Sequence, residues 1–306
     1  MRNLELRIAY NGAGFHGWQI QPRARTVQGE VAAVLKRILK LAKIKTVGCS
    51  RTDAGVHAHD QRVSFQIEHP IPLEGLQRAL ERLLPPDIQL LEVCERPPGF
   101  QARHHARAKH YGYFFLNPPG TTAFNAWQNL ASPFIAPYVT ACAEPLDVEA
   151  MARAAEQLVG TRCFKALQSC KDHRPNSETT IFATRVRRHG SLVTFDVLGH
   201  HFLYLMVRNM AGSLKRVGTG EWAAEDFGER LNRGNRVDMG ETAPATGLHL
   251  FEVYYEEDPL GFSPKSEAFQ TFLGAPIGAE SKARAGEKRV TASPAPPLPG
   301  RSEQDG

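Results

Sequence analysis

A chain of 306 residues, 42% hydrophobic and 23% charged, can bury a substantial core, and at about 150 residues per domain it reads as two domains or one large unit with a tail. No apolar run approaches the roughly 18 residues of a membrane span, and the opening MRNLELRIAYNG has no apolar leader region, so membrane and secreted classes are excluded and a cytoplasmic protein is expected. The net charge of +5 is modest, and the five cysteines (49, 94, 142, 163 and 170) never fall as CxxC, which speaks against a disulfide framework and a thiolate metal site.

The elements follow from periodicity. Leu4, Leu6 and Ile8 alternate with polar neighbours and predict a half-buried strand. Thr26 is placed to cap a helix with apolar positions Val27, Val31, Val34, Leu35, Ile38 and Leu39. Val63, Phe65 and Ile67 give a second strand, and Leu73, Leu76, Leu80, Leu83 and Leu84 a second helical stripe stopped by Pro85-Pro86. Residues 88–93 read as a third strand. The pattern then repeats in outline, with a strand at 111–116 and a helix after Asp147. Strands at 181–188 and 192–198 lead into a helix around 203–217, then a short helix near 226–231 and a closing strand at 248–255. This order predicts an α+β (mixed α/β) fold of two similar α/β halves, residues 1–106 and 107–256. Residues 257–306 form a Pro-, Ala- and charge-rich tail expected to be disordered.

Four places carry residues that chemistry would use. Residues 50–58, SRTDAGVHA, put an arginine, a hydroxyl, a carboxylate, a glycine and a histidine between two strands, where rigid sheets present reactive groups and where a plain turn also fits. His57, His59 and Asp60 suggest a metal site, but neither His104-His105 nor His200-His201 completes a ligand spacing, so solvated or RNA-facing histidines are expected. Residues 101–110, QARHHARAKH, place Arg103, Arg107 and Lys109 without an acid just before Tyr111, as single-stranded or looped RNA requires: cations for phosphates, rings for unpaired bases. In the apolar helix FLYLMVRNMAGSL, Arg208 either escapes to the edge or pairs with a carboxylate, and Asp53 needs such a counter-charge.

Together these residues resemble the tRNA pseudouridine synthase A family over residues 4–256. SRTDAGVHA is similar to the family's signature. Tyr10-Asn11-Gly12, FHGWQ at 15–19 and RTVQG match its opening; Phe100-Gln101-Ala102-Arg103 with Tyr111-Gly112-Tyr113 its centre; FLYLMVRNMAGSL and APATGLHL at 243–250 its last two motifs. The resemblance implies the pseudouridine synthase fold, with its halves meeting at a central cleft. It also implies an isomerase that breaks the N-glycosidic bond of a uridine, rotates the uracil and joins C5 to the same C1′. No cofactor and no metal are implied, in keeping with the missing phosphate-loop and dinucleotide motifs.

By resemblance Asp53 is the essential carboxylate, acting on the ribose as nucleophile at C1′ or by removing the 2′ proton. Arg208 keeps it ionised, and Tyr111 stacks on the uracil and helps move the C5 proton. Arg51 props the gap left by the flipped nucleotide, Leu248 lines the base pocket, and Arg103 and Lys109 hold phosphates, with Thr52, Trp18 and Gln19 as weaker candidates. The implied partners are tRNA, at uridines 38, 39 and 40 of the anticodon stem-loop, and a second copy of the chain in a homodimer. The alternative from another class is a non-catalytic RNA-binding or folding module of the same fold; a hydrolase built on His57, His59 and Asp60 is a third. Two departures from the family pattern bear on substrate contacts: Gly112 stands where a basic residue is common, which removes a phosphate contact, and His200 where Asn is frequent.

Overall fold

The computed structural model describes residues 1–119, 133–172 and 174–255. In chain order they form β1 (Arg2–Tyr10), α1 (Val27–Leu39), β2 (Thr46–Gly48), β3 (His57–Ile67), α2 (Leu73–Leu83) and β4 (Ile88–Arg96). There follow α3 (Ala102–His105), β5 (Ala106–Leu116), β6 (Thr140–Ala141), α4 (Val148–Glu156), β7 (Gly160–Cys163), β8 (Glu178–His189), β9 (Leu192–Gly199), α5 (Met206–Gly218), α6 (Asp226–Asn232) and β10 (Leu248–Tyr255).

Local chemistry sets the helix ends. The Thr26 hydroxyl accepts from the Gly29 amide at 3.3 Å and the Asp147 carboxylate from the Ala150 amide at 2.9 Å. Each cap is worth about 1 kcal/mol. Leu84 is already extended, so α2 stops where Pro85 begins. The helix expected around 203–217 starts instead at Met206, because Leu205 adopts the left-handed conformation, φ +62°, which costs a non-glycine residue about 1–2 kcal/mol. The basic run also divides: Arg103 lies on α3 and Lys109 on β5.

All ten strands join one sheet in the order β4-β1-β3-β10-β5-β9-β8-β7, with β2 added to β3 and β6 to β5. The last strand therefore does not sit at an edge. β10 runs parallel to β3, pairing His249 with His57 and Leu250 with Ala58, and antiparallel to β5, pairing Leu250 with Tyr111. The strands of residues 1–106 and 107–256 thus meet at a β3–β10 seam. Strand alternation then sorts the residues. On one face Leu4, Leu6, Ile8, Val63, Phe65, Phe195 and Val197 share a core with Val31 and Leu35 of α1, Leu76 and Leu80 of α2, and Met210 and Leu214 of α5. On the other face lie Glu5, Arg7, Asp60 and Arg62, joined by ion pairs.

Among the described residues no helix is long and apolar enough to cross a membrane. The expected tail, 257–306, lies outside the described residues.

Candidate active site

The β2–β3 loop is built on the first motif of the chain. Gly12 and Gly17 pack against it so closely that a Cβ on Gly12 would overlap the Val56 carbonyl, and one on Gly17 would stand 2.7 Å from the Thr52 carbonyl. The Trp18 amide donates to that carbonyl at 3.0 Å, and the Tyr10 and Thr52 hydroxyls are bonded at 2.8 Å. Gln61 fixes the start of the loop, donating to the Ser50 carbonyl at 2.8 Å and accepting from the Ser50 amide at 3.1 Å. A loop held at its start and middle presents the Asp53 side chain from a fixed frame.

Asp53 opens onto a cavity of about 690 Å³ at the seam, within the range of nucleotide-sized sites. Every residue expected to form the site lines it: Arg51, Thr52, Asp53, Arg103, Lys109, Tyr111, Arg208 and Leu248. They come from the β2–β3 loop, α3, β5, α5 and β10, so the sheet order itself assembles the site.

Arg208 takes the second of the two courses open to it. Its Nη1 lies 3.3 Å from Asp53 Oδ2, and its Nε donates to the Ala243 carbonyl at 2.7 Å, which aims the guanidinium. Burial pushes the Asp53 carboxyl above its ordinary value, and the neighbouring Arg208 charge and hydrogen bond pull it back only in part. Tyr111 is 7% exposed, its hydroxyl reaches the Ser50 side chain, and burial pushes its phenol well above the usual tyrosine value. The phenol is therefore neutral at physiological pH. Its ring meets Phe202 edge-on, centroids 5.1 Å apart.

Of the weaker candidates Thr52 and Gln19 line the cavity and Trp18 does not, but all three side chains are engaged in the fold. The Thr52 hydroxyl is spent on Tyr10, Trp18 is buried behind the loop, and Gln19 donates to Gln28 at 2.8 Å. Lys109 reaches the Cys49 carbonyl at 3.2 Å. Sequence reasoning missed Phe202, Tyr204, Lys171, Asp172 and Arg174, which also line the cavity. The two aromatics lay inside a stretch expected to be helical core, and the other three in a loop with no periodicity.

The three-residue metal alternative, not favoured on sequence, gains no support here, and His57 is buried rather than solvated as expected. Asp60 is held by Arg7 at 3.1 Å and Arg62 at 3.0 Å. The His57 Nδ1 accepts from the Gly12 amide at 3.1 Å while its Nε2 donates to the Pro137 carbonyl at 2.8 Å, which uses both ring nitrogens of a neutral imidazole. Among the described residues no three His, Cys, Asp or Glu are arranged to hold a metal ion. The expected loss of a phosphate contact at Gly112 is likewise corrected. A side chain there would overlap the Phe251 ring and stand 3.5 Å from Asp196, on the face of β5 opposite Tyr111 and the cavity.

The fold and the cavity define an α+β protein with a half-buried carboxylate–guanidinium pair beside a buried tyrosine whose ring meets Phe202 edge-on. A family model described as tRNA pseudouridine synthase matches residues 154–256. Proteins named tRNA pseudouridine synthase A are similar over most of the chain. That of Halalkalibacterium halodurans is 40% identical over 248 residues, 81% of this chain and 90% of the relative. Those of Moorella thermoacetica and Acetivibrio thermocellus are 39% and 36% identical, covering 82% and 83% of this chain and 99% and 100% of the relatives. The chain belongs to the tRNA pseudouridine synthase A family.

Proposed function

We propose that the chain isomerises uridine to pseudouridine in the anticodon stem-loop of tRNA, at positions 38 to 40, in the cytoplasm and as a homodimer. The observation that carries this reading is the convergence of Asp53, Tyr111 and Arg208, far apart in sequence, on one nucleotide-sized cavity in a chain of this family. The target uridine leaves its stack to enter the cavity, which costs a few kcal/mol recovered in stacking and phosphate contacts.

Asp53, unlike the fully engaged Asp172, keeps carboxylate lone pairs free to act on C1′ or the 2′ position, and its pairing with Arg208 favours the ionised form against the burial that opposes it. The N1–C1′ bond breaks, the uracil turns between Tyr111 and the Leu248 side of the cavity, and C5 bonds to C1′. The proton leaves C5 and N1 gains one, so atoms, charge and redox state balance without a co-reactant. The neutral Tyr111 phenol, in contact with Ser50, is positioned to relay that proton rather than to take it as phenolate.

The test is pseudouridine formation in unmodified tRNA by the intact chain, Asp53→Ala and Asp53→Asn, all in EDTA. Formation by the unaltered chain alone, with tRNA binding kept in both variants, supports the reading. Undiminished formation without Asp53 overturns it.

A further inference from the structure

One wall of the cavity has no task in the reaction as proposed. Lys171, Asp172 and Arg174, from the segment between β7 and β8, stand at its rim. Asp172 holds Arg174 with both oxygens: Oδ1 accepts from Nε at 2.9 Å, and Oδ2 from Nε at 3.0 Å and Nη2 at 2.6 Å. Asp172 also accepts from the Arg174 amide at 3.2 Å and from the Tyr204 amide at 3.0 Å. The Ser169 amide donates to the Tyr204 carbonyl at 3.1 Å, so this segment is tied on both sides to the residue preceding the strained Leu205 and the start of α5.

The Asp172 side chain is 7% exposed, while that of Arg174 is 42% exposed. The acid is sunk and the guanidinium is offered outward, with Nη1 making no hydrogen bond among the described residues. Arg51 and Arg103 line the same cavity, and among the described residues neither forms an ion pair. All three guanidiniums line the one cavity, and after burial the Arg51 and Arg174 charges also lower the Arg103 pKa. Asp53 is engaged by Arg208 and Asp172 by Arg174, so the cluster holds more positive than negative charge. Such a convergence is relieved by an anion that accepts forked hydrogen bonds, and a phosphate is that anion.

We propose that Arg174, presented by Asp172, closes with Arg51 and Arg103 a clamp on an RNA backbone phosphate next to the flipped nucleotide, with Arg174 the phosphate ligand and Asp172 a positioning residue. The clamp joins the β2–β3 loop and α3 to the β7–β8 segment across the cavity mouth. It rests on the reading of tRNA as substrate, and it makes the second half of the chain a determinant of where the RNA strand runs as it enters the site.

The experiment measures tRNA affinity against salt concentration, together with single-turnover pseudouridine formation, for the intact chain, Arg174→Ala, Arg174→Lys and Asp172→Asn. Loss of one phosphate contact reduces the slope of log affinity on log salt by about 1. Arg174→Ala is expected to show that reduction and to bind about tenfold more weakly at moderate salt, with the loss carried by KM rather than kcat. Arg174→Lys keeps the slope and recovers part of the affinity. Asp172→Asn keeps the slope and raises KM, because the charge remains and its placement is lost. If Arg174→Ala keeps both the slope and the KM of the intact chain, the clamp is wrong, and Arg174 serves only to brace its own loop. An intact chain that binds tRNA with the full slope yet forms no pseudouridine refutes the reaction while leaving the clamp standing.

Discussion

Two aspartates line the same cavity and are treated in opposite ways. Asp172 receives two backbone amides and a three-bond grip from Arg174, and its carboxyl is held far below the usual carboxylate range, with the Arg174 hydrogen bonds the largest cause. Asp53 has one side-chain partner among the described residues, Arg208 at 3.3 Å, and burial leaves its carboxyl above the ordinary value. A carboxylate whose lone pairs are all committed is a brace. One with a single contact keeps lone pairs for a substrate and sits in surroundings that make its charge costly, the condition under which a carboxylate reacts. On the proposed reading, the donors around each aspartate, and not its place at the cavity, set the reactive one apart.

The largest expected effect tests that distinction directly. Asp53→Asn is nearly isosteric and should lower pseudouridine formation by about 10³-fold or more, as loss of an attacking group does, whereas Asp172→Asn should leave turnover at saturating tRNA within a few fold. Equal losses in single-turnover assays of the two variants would erase the contrast. Next comes Arg208→Met, which removes the only influences that lower the Asp53 pKa. The acidic limb of the pH–rate profile should move to higher pH, and the rate at pH 7 should fall by about 10²-fold; Arg208→Lys should return the limb part of the way. A limb that stays in place would separate Arg208 from Asp53 ionisation. Third is Tyr111→Phe, which keeps the ring against Phe202 and removes the hydroxyl. Loss of a proton relay predicts a drop of about 10²-fold in the single-turnover rate with tRNA affinity retained, and an unchanged rate would restrict Tyr111 to stacking.

The same contrast separates what could be read from the chain from what could not. The wall carrying Asp53 was legible because its residues are contiguous: SRTDAGVHA shows its arginine, hydroxyl and carboxylate in one loop, and Leu4, Leu6 and Ile8 beside Val63, Phe65 and Ile67 announce the strands that hold it. The wall carrying Asp172 was not. Its function arises from a hydrogen bond to Tyr204, 32 residues away, and from a left-handed Leu205 that no apolar stripe reveals. β10 was bounded correctly, yet its position between β3 and β5 is a long-range fact, secured on the β3 side by His249 stacking on His57 and Phe251 on His59. β2 and β7, of three and four residues, are too short to carry a period at all. Gly112 shows the same limit at one residue, since only the pleat reveals that it faces Phe251 rather than the cavity.

The smallest expected effect concerns the brace itself. The folded-state pKa of Asp172 lies below its unfolded value of about 3.9, so its contribution to stability is fully present above that pH and fades as pH falls toward the folded value. Arg174 is partly solvated, which screens the pair and limits its worth to about 1 kcal/mol, or about 2–4 °C in Tm for a domain of this size. Asp172→Asn should therefore melt a few degrees lower than the intact chain at pH 7, and the two should converge on acidification below about pH 4. Asp53 carries the opposite sign: its folded pKa is raised, so its ionisation weakens the fold as pH rises through the unfolded and then the folded value. Asp53→Asn removes that cost at pH 7 while leaving Arg208 its bond to the Ala243 carbonyl, so its Tm should match or exceed that of the intact chain. Melting curves of both variants at pH 7 that fall together would mean that Asp53 also braces the fold. Curves that part would place the reactive carboxylate where stability is given up for chemistry.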